Sequence, residues 1–346
     1  MLLTSRYGDW SNGMQFTLRE RDYLREADLS KEEFKELLDL ADGLRSARIS
    51  GSEIPQLAGK SIALLFEKPS TRTRIAFEVA AREQGAHTTF LDAAATHISS
   101  RETIKDTARV LERLYDAIQY RGYEQKRIEE LAQYSCVPVW NGMTNEYHPT
   151  QMLADALTIR DHSGVPFSDI VIAYIGNGHN NIANSILMAS ALLGMDVRIV
   201  CPQQLTPDNA ITKEAAEIAS RSTARTHITS DIDAGVRGAD FIYTDSWLSM
   251  HESHDEWRRR LDLLRPYRLT AELLRQTGKS DTRVLHCLPA YYSTENPLVS
   301  EINEKYGDLA LEITEEVFES DRCIAFDQAE NRMHTIKALM VATLAS

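Results

Sequence analysis

Short apolar runs alternate with segments of helical periodicity along most of this chain. The run Ser61–Phe66 has the length and composition of a strand that is buried on both faces. Similar runs lie at 88–91, 117–120, 137–140, 169–175, 197–200, 241–244 and 284–288. Helical patterns flank these runs, and the first begins at a capping box formed by Ser30 and Glu33. This alternation predicts an α/β fold built on doubly wound parallel sheets.

The length of 346 residues exceeds what one hydrophobic core usually serves and suits two domains. The helical pattern that opens at His148 fades after about Ile159, and Gly164 and Pro166 interrupt the chain before the next apolar run. We therefore place a link between two α/β domains in the stretch 162–168.

Composition narrows the classes of function. The net charge of −13 disfavours nucleic acid as a bulk partner, because a phosphate backbone needs a basic surface. No apolar run reaches the length of a transmembrane helix. The 4 cysteines are widely spaced and form no C-x-x-C pair, which disfavours a zinc site or a disulfide framework. The cytoplasm, a reducing compartment, is therefore the expected location.

The stretch Ser70–Arg74, with the sequence S-T-R-T-R, directly follows the first predicted strand. Pro69 blocks regular structure there, and Ser70 is a good N-cap for a helix over about 72–81. Backbone N–H groups at a helix start have no intrahelical partner and lie at the positive end of the helix dipole. Hydroxyl and guanidinium side chains in the same turn favour an oxyanion site, with phosphate as the natural ligand. A capped surface helix with two solvated arginines is the alternative interpretation.

Polar segments follow the carboxyl ends of several predicted strands. Ligands of open parallel sheets bind beyond those ends, so the coincidence predicts a ligand-binding region. The segments are Ser70–Arg74, Arg121, His148–Gln151, Gly176–Asn181, Asp245–His251 and His286–Pro289. The carboxylate of Asp245 suits recognition of an amino group.

The pair Gly176 and Gly178 after a predicted strand invites comparison with a dinucleotide-binding turn. The full G-x-G-x-x-G spacing would need a glycine at Asn181, and no acidic residue ends the following strand. Binding of NAD, and with it an oxidoreductase, is therefore disfavoured. Capping of a helix by asparagine is one alternative, and a hydrogen bond from Asn180 or Asn181 to a polar ligand between the domains is another.

Two further side chains allow a structural and a functional interpretation. His148 precedes a helix with Pro149 at its first position, and its imidazole is either a structural group or a donor to a carbonyl oxygen. Cys287 is either a buried inert thiol or a reactive one. A Cys–His nucleophile with His286 is disfavoured, because adjacent residues on a strand point to opposite faces.

Together these segments resemble the aspartate/ornithine carbamoyltransferase family. The resemblance covers nearly the whole chain after about residue 25, and the motifs occur in the family's order and spacing. The motifs are S-T-R-T-R at 70–74, H-P-T-Q at 148–151, D-x-W-x-S-M at 245–250, H-C-L-P at 286–289 and E-N-R at 330–332. H-C-L-P and D-x-W-x-S-M favour the ornithine branch over the aspartate branch.

The resemblance implies two domains of similar size, which we expect at residues 1–150 and 151–327, with a C-terminal helix at 328–346 packing back on the first. The first domain is expected to bind carbamoyl phosphate, and the second to bind the amine. A homotrimer, or a multiple of trimers, is implied, with active sites near subunit interfaces and with no metal or organic cofactor. The implied reaction carbamoylates the side-chain amine of L-ornithine, giving L-citrulline and phosphate, as part of arginine metabolism.

The resemblance also implies roles for individual residues. The expected catalytic residues are Arg72, Arg121, His148, Asp245 and Cys287. The expected contacts of carbamoyl phosphate are Ser70, Thr71, Arg72, Thr73, Arg121, His148, Gln151, Cys287, Leu288 and Arg332. The expected contacts of ornithine are Asn181, Asp245, Ser249 and Met250. His97 stands where the family places a contact from the neighbouring subunit.

Departures from the family pattern, at Asn177, in the segment 96–102 and at His251, leave the identity of the amine open, and His251 motivates the alternative. His251 replaces the glycine of the usual S-M-G loop, which adds bulk and a titratable group. The alternative function is therefore carbamoyl transfer to another amine, such as putrescine or a different diamino acid. Asp245, Ser249 and Met250 argue against putrescine, which has no α-amino acid group. A homologue that binds ligands without activity is the alternative from another class, and the retained catalytic residues argue against it.

Overall fold

The computed structural model describes residues 18–93, 102–248 and 254–345. Strands and helices alternate through most of these ranges, and both sheets are parallel, so the predicted α/β fold is confirmed. The strands are β1 (Ser61–Phe66), β2 (His87–Asp92), β3 (Ala117–Arg121), β4 (Val139–Met143), β5 (Val171–Ile175), β6 (Asp196–Val200), β7 (Arg225–Thr229), β8 (Phe241–Thr244) and β9 (Arg283–His286). The helices are α1 (Lys31–Ser50), α2 (Thr71–Glu83), α3 (Ile104–Leu111), α4 (Gln125–Gln133), α5 (Pro149–Ser163), α6 (Asn181–Leu193), α7 (Asn209–Ala219), α8 (Ile232–Val236), α9 (His254–Leu264), α10 (Ala271–Gln276), α11 (Pro297–Tyr306), α12 (Glu315–Phe318) and α13 (Ala325–Leu344).

The first compact unit contains the described residues up to Thr144 and those from Arg332 onward. Its sheet has the order β2-β1-β3-β4, and most residues of β1, β3 and β4 are buried. The register places Phe66 beside Arg121 at the carboxyl end. The strand order changes direction between β1 and β3, so the segments that follow these two strands lie at the crevice where parallel sheets bind ligands.

The second compact unit is Asn145–Asn331. Its sheet has the order β7-β6-β5-β8-β9, and the change of direction falls between β5 and β8. The register pairs Tyr174 with Tyr243, and Thr244 with His286, so β5, β8 and β9 end at the same edge. The polar segments that begin after each of these strands therefore meet at the ligand-binding edge of this sheet.

The edge strand β7 has no counterpart among the predicted strands. All of its side chains are exposed or half-buried, and its sequence R-T-H-I-T contains no apolar run. A strand at a sheet edge needs no buried face of its own, so hydrophobic periodicity does not reveal it.

The C-terminal helix α13 runs from the second unit into the first. It begins at Ala325, earlier than the expected residue 328, and from Arg332 onward it belongs to the first unit, as the resemblance implied. The expected domain boundary after residue 150 lies inside α5, a few residues beyond the division after Thr144. Among the described helices, none has the length and apolar content needed to span a bilayer.

A buried ion cluster fixes α13 within the first unit. The ammonium of Lys337 is fully buried and donates to Oε1 of Glu53 and Oε2 of Glu83, both at 2.6 Å. Gln84 donates to the same oxygen of Glu53 at 2.7 Å, and Arg48 donates to Oε1 of Glu83 at 2.9 Å. Lysine is almost never fully buried unless its charge is paired, so this cluster links α13 to α2 and to the chain before β1.

The Lys337→Met variant tests this link. It leaves two carboxylates without the cation between them, and breaking a buried ion pair in this way costs about 3 kcal/mol. We expect urea unfolding of the variant to show a loss of that size in the free energy of unfolding. Lys305→Met, which removes an exposed pair with Glu301, is the matched control and should change stability by less than about 1 kcal/mol.

Lowering the pH should reduce the difference in the free energy of unfolding between wild type and Lys337→Met. Burial alone would raise the pKa of Glu83, but the hydrogen bonds from Lys337 and Arg48 outweigh it and hold that pKa below its usual value. A carboxylate whose pKa is lowered by folding stabilises the fold above its unfolded pKa, and this contribution is lost as the pH falls through the folded pKa. A Lys337→Met variant as stable as wild type at neutral pH would contradict the structural role.

Candidate active site

The turn after β1 forms a capped helix start, as the sequence predicts. Ser70 has extended backbone, and its hydroxyl oxygen accepts a hydrogen bond from the N–H of Thr73 at 3.2 Å. The helix α2 therefore begins at Thr71 and directs its first N–H groups and its positive dipole end toward the edge of the sheet. Thr71 is exposed and Arg72 is half-buried at this helix start.

Two arginines from distant parts of the chain converge on this turn. Thr73 is fully buried, and its Oγ1 accepts from Nη2 of Arg332 at 2.7 Å and from Nη1 of Arg121 at 3.2 Å. Arg121 ends β3, and Arg332 is on α13. The first unit thus assembles two guanidinium groups and a helix N-terminus at one place, an arrangement that suits a multiply charged oxyanion.

The last arginine of the S-T-R-T-R motif has a separate role. Arg74 forms an ion pair with Glu78 at 2.9 Å, and its guanidinium lies 3.9 Å from the ring centroid of Phe90. Arg74 therefore behaves as the alternative interpretation expected, as a side chain on the surface of the helix. Thr73, in contrast, contacts the two arginines of the candidate oxyanion site.

Sequence reasoning missed Glu67, which anchors the segment between β1 and the turn. Its largely buried carboxylate accepts from the Tyr120 hydroxyl at 2.7 Å and from Nη2 of Arg127 at 2.8 Å. Burial, and then the hydrogen bond to Glu67, raise the pKa of Tyr120 well above its usual range. A side chain at Gly122 would come within 2.0 Å of this hydroxyl, so the glycine keeps the space for it. A glutamate directly after an apolar strand was the only available signal.

In the second unit, His148 and Gln151 lie at the start of α5. His148 is buried just before Pro149, and its backbone N–H donates to the hydroxyl of Ser185 at 2.7 Å. The amide nitrogen of Gln151 donates to Oδ1 of Asp155 at 2.8 Å. The buried Oε1 of Gln151 has no hydrogen-bond partner within the part of the chain that the structure describes, so it can accept from an N–H of a ligand.

Asp245 and Cys287 meet at the carboxyl edge of the second sheet. Oδ1 of the buried Asp245 accepts from Sγ of Cys287 at 3.1 Å and from the N–H of Ser246 at 2.7 Å. Burial raises the pKa of Asp245 above its usual value. The asparagine in contact with this carboxylate is Asn180, whose Nδ2 lies 3.4 Å from Oδ2, while Asn181 is the first residue of α6. The pairing of Asp245 with Cys287 joins two residues that the sequence placed at separate strand ends.

His286 has both ring nitrogens in hydrogen bonds. Nδ1 accepts from the N–H of Leu288 at 3.0 Å, and Nε2 lies 3.1 Å from Oε1 of Glu312. Among the described residues, Asp245, His286 and Cys287 are the one group with ligand atoms close enough to share a metal ion. Because the imidazole is engaged at both nitrogens, only a carboxylate and a thiol remain, and this pair does not suit a structural or catalytic metal. The expectation that no metal takes part stays a prediction.

Close packing accounts for Gly178, the second glycine of the pair after β5. A side chain at Gly178 would come within 2.7 Å of Sγ of Cys201 and of the carbonyl oxygen of Leu205. Asn180 caps α6 by accepting from the N–H of Ala183 at 2.8 Å. The structure therefore gives this turn a packing role that needs no dinucleotide.

Four expected positions lie outside the described residues. They are His97, Ser249, Met250 and His251.

Two models of known protein families match this chain. Residues 21–161 match the carbamoyl-P binding domain of aspartate/ornithine carbamoyltransferase, and residues 168–343 match its Asp/Orn binding domain. The chain belongs to the aspartate/ornithine carbamoyltransferase family.

Individual relatives are named for ornithine. An ornithine carbamoyltransferase from Actinobacillus pleuropneumoniae serotype 5b (strain L20) is 50% identical over 334 residues, which cover 96% of this chain and 100% of the relative. The structure of ornithine carbamoyltransferase from Pyrococcus furiosus matches with a TM-score of 0.86 and 36% identity, over 94% of this chain and 98% of the other. That from Gloeobacter violaceus matches with a TM-score of 0.80 and 36% identity, over 95% and 100%.

The Thr73→Val variant tests the oxyanion arrangement. Valine has nearly the same shape but cannot accept from Arg121 and Arg332, so the two guanidinium groups lose their common anchor. We expect the affinity for inorganic phosphate, measured by calorimetry, to fall by about tenfold, which corresponds to about one hydrogen bond to a charged group.

Arg74→Gln is the matched control for this experiment, since it changes the next residue of the motif on the surface side. Its phosphate affinity should stay within about twofold of wild type. If Thr73→Val bound phosphate as wild type does, the hydroxyl would not organise the site.

Proposed function

We propose that this chain transfers the carbamoyl group of carbamoyl phosphate to the side-chain amine of L-ornithine, giving L-citrulline and phosphate. The observation that carries the proposal is the convergence of Arg121 and Arg332 on Thr73 at the N-terminus of α2. This arrangement lies in the unit that matches the carbamoyl-P binding domain, and a phosphate dianion is the ligand that suits it. The names of the relatives support ornithine as the acceptor.

The phosphate end of the first substrate is assigned to the capped turn. Ser70, Thr71, Arg72 and Thr73 hold the phosphate in this proposal, and Arg332 completes the pocket. Phosphate is also the leaving group, so the charge that develops on it is stabilised by Arg72 and by the amides of the turn.

The carbamoyl end carries the bond that changes. The amine attacks the carbonyl carbon and forms a tetrahedral oxyanion, for which donors must be in place before the reaction. The donors that we assign are Arg121 and His148. Gln151 accepts from the carbamoyl N–H₂ group through its available Oε1. The C–O bond to phosphate then breaks, and the carbamoyl group stays on the amine nitrogen.

The second unit is assigned to the amine substrate. A buried carboxylate that can keep its charge pairs with an ammonium group, so Asp245 binds the amino-acid end of ornithine together with Asn181, Ser249 and Met250. The side-chain amine must lose a proton before it attacks. In this proposal Cys287 and the backbone carbonyl of Leu288 lie beside that amine, and the contact between Cys287 and Asp245 helps to organise proton removal. Positioning and electrostatics then supply most of the rate.

A homotrimer, or a multiple of trimers, is the assembly that we infer from the family resemblance, with His97 at the contact between subunits. We expect a cytoplasmic protein, since its 4 cysteines form no disulfide pattern. Sedimentation equilibrium of the full chain tests the assembly, and a monomer at micromolar concentration would contradict it.

A panel of amines tests the proposed reaction. Purified protein is incubated with carbamoyl phosphate and L-ornithine, L-lysine, putrescine or a shorter diamino acid, and the ureido product and released phosphate are measured. We expect L-ornithine to have the highest kcat/KM by at least about 100-fold, because the contacts with the amino-acid end add several hydrogen bonds to charged groups. A higher kcat/KM for another amine would move the specificity away from ornithine, and no phosphate release with any amine would contradict carbamoyl transfer.

Asp245→Asn should impair the use of ornithine without weakening the binding of phosphate. Losing the carboxylate charge should lower kcat/KM for L-ornithine by about 100-fold or more, with little change in phosphate affinity. Burial raises the pKa of Asp245. As the pH is lowered, wild-type kcat/KM should therefore begin to fall at a higher pH than it would with a solvated carboxylate. The variant, which has no carboxylate at this position, should lack this fall.

Asp240→Asn is the control, because Asp240 directly precedes β8 at the end of the strand opposite Asp245. It should keep wild-type kinetics and the wild-type fall in kcat/KM at low pH. An Asp245→Asn variant with wild-type kinetics for ornithine would contradict the assignment.

A further inference from the structure

Glu312 is a fully buried carboxylate to which the proposed reaction gives no role. Its Oε1 lies 3.1 Å from Nε2 of His286 and accepts from the backbone N–H of Tyr291 at 2.7 Å. These two partners stand on either side of the segment that contains Cys287 and Leu288. Burying a carboxylate is costly unless hydrogen bonds compensate, so its two contacts identify what it holds in place.

The ring of His286 transmits this contact to the backbone of the site. Nδ1 accepts from the N–H of Leu288 at 3.0 Å, which assigns the proton of the neutral ring to Nε2, where Glu312 accepts it. Leu288 has a φ of 58°, in the left-handed region that residues other than glycine seldom adopt. A backbone conformation of this kind persists only when its surroundings fix it.

The segment between these two anchors carries groups that face the reaction. Sγ of Cys287 donates to Asp245 at 3.1 Å, and Asp245 is assigned to the amine substrate. We propose that Glu312, acting through His286, is a positioning residue that holds the backbone of Cys287 and Leu288 in place for the attacking amine. This inference rests on the proposed function, because it is that function which gives Cys287 and Leu288 their substrate.

Two substitutions of Glu312 separate geometry from charge. Glu312→Gln keeps an oxygen that accepts from His286 and Tyr291, whereas Glu312→Ala removes both anchors. We expect kcat for citrulline formation to fall by roughly 100-fold in Glu312→Ala, the scale of a misplaced catalytic group, and KM for L-ornithine to rise. Glu312→Gln should recover most of this loss, and the affinity for inorganic phosphate should be the same in both variants. A loss confined to the amount of folded protein would lower kcat without moving KM.

The reactivity of Cys287 gives a readout that does not depend on activity. The rate of alkylation by iodoacetamide is followed by mass spectrometry of the peptide that contains Cys287, with the exposed Cys136 of the first unit as an internal reference. Glu312→Ala should react several-fold faster at Cys287 and at an unchanged rate at Cys136. This readout distinguishes the two hypotheses, since a wild-type protein that makes no citrulline refutes the proposed function but still shows whether Glu312 fixes the segment.

Thr282→Val is the matched control. It removes a fully buried hydrogen bond, from the Thr282 hydroxyl to the carbonyl of Ala239 at 2.9 Å, just before the opposite end of β9. It should leave KM for L-ornithine and Cys287 alkylation unchanged.

If Glu312→Ala does not fold, His286→Gln takes its place, because its amide can still donate to Glu312 but offers Leu288 no acceptor at the Nδ1 position. Wild-type KM and wild-type Cys287 alkylation in a folded Glu312→Ala or His286→Gln variant would overturn the proposal.

Discussion

The chemistry of the first unit depends on the two hydrogen bonds that the hydroxyl of Thr73 accepts. One oxygen atom accepts from the guanidinium groups of Arg121 and Arg332, which lie far apart in the sequence. A register shift after Tyr120 in the pairing of β3 with β4 marks an irregularity of the kind that redirects a side chain, here that of Arg121. Two like charges beside the positive end of a helix repel each other, and a phosphate dianion relieves that repulsion. The arrangement is therefore that of a site prepared for an anion.

The ligand-binding edge of the second sheet carries an acidic group instead. This group is the buried carboxylate of Asp245, in contact with a thiol and an amide, which suits a cationic amino acid. Behind it, Oδ1 of Asp155 accepts from both Gln151 and Gln328, and Gln328 accepts from the backbone N–H of His286. This continuous set of buried hydrogen bonds joins α5, α13 and β9 within the second unit, so Gln151 and the strand that ends before Cys287 share one buried polar support.

The sequence predicts most strands and most of the polar segments at their ends, because each depends on local pattern: Ser70 caps α2, and Asp245 and Cys287 follow buried strands. It does not predict Glu67, Glu312 or Lys337. These are buried charges whose partners are distant in the chain, such as Lys337 and Glu53, and no local spacing encodes such a pair. The polar edge strand β7 was missed for a related reason, because its pairing with β6 depends on tertiary structure and is not apparent from its own composition.

A crystal structure of the full chain with bound inorganic phosphate tests this anion site most directly. We expect phosphate oxygens within about 3 Å of the guanidinium nitrogens of Arg121 and Arg332 and of the N–H groups at the start of α2. We also expect the Thr73 hydroxyl to keep its contact with Arg332. Phosphate bound elsewhere at full occupancy, with none at this turn, would contradict the assignment.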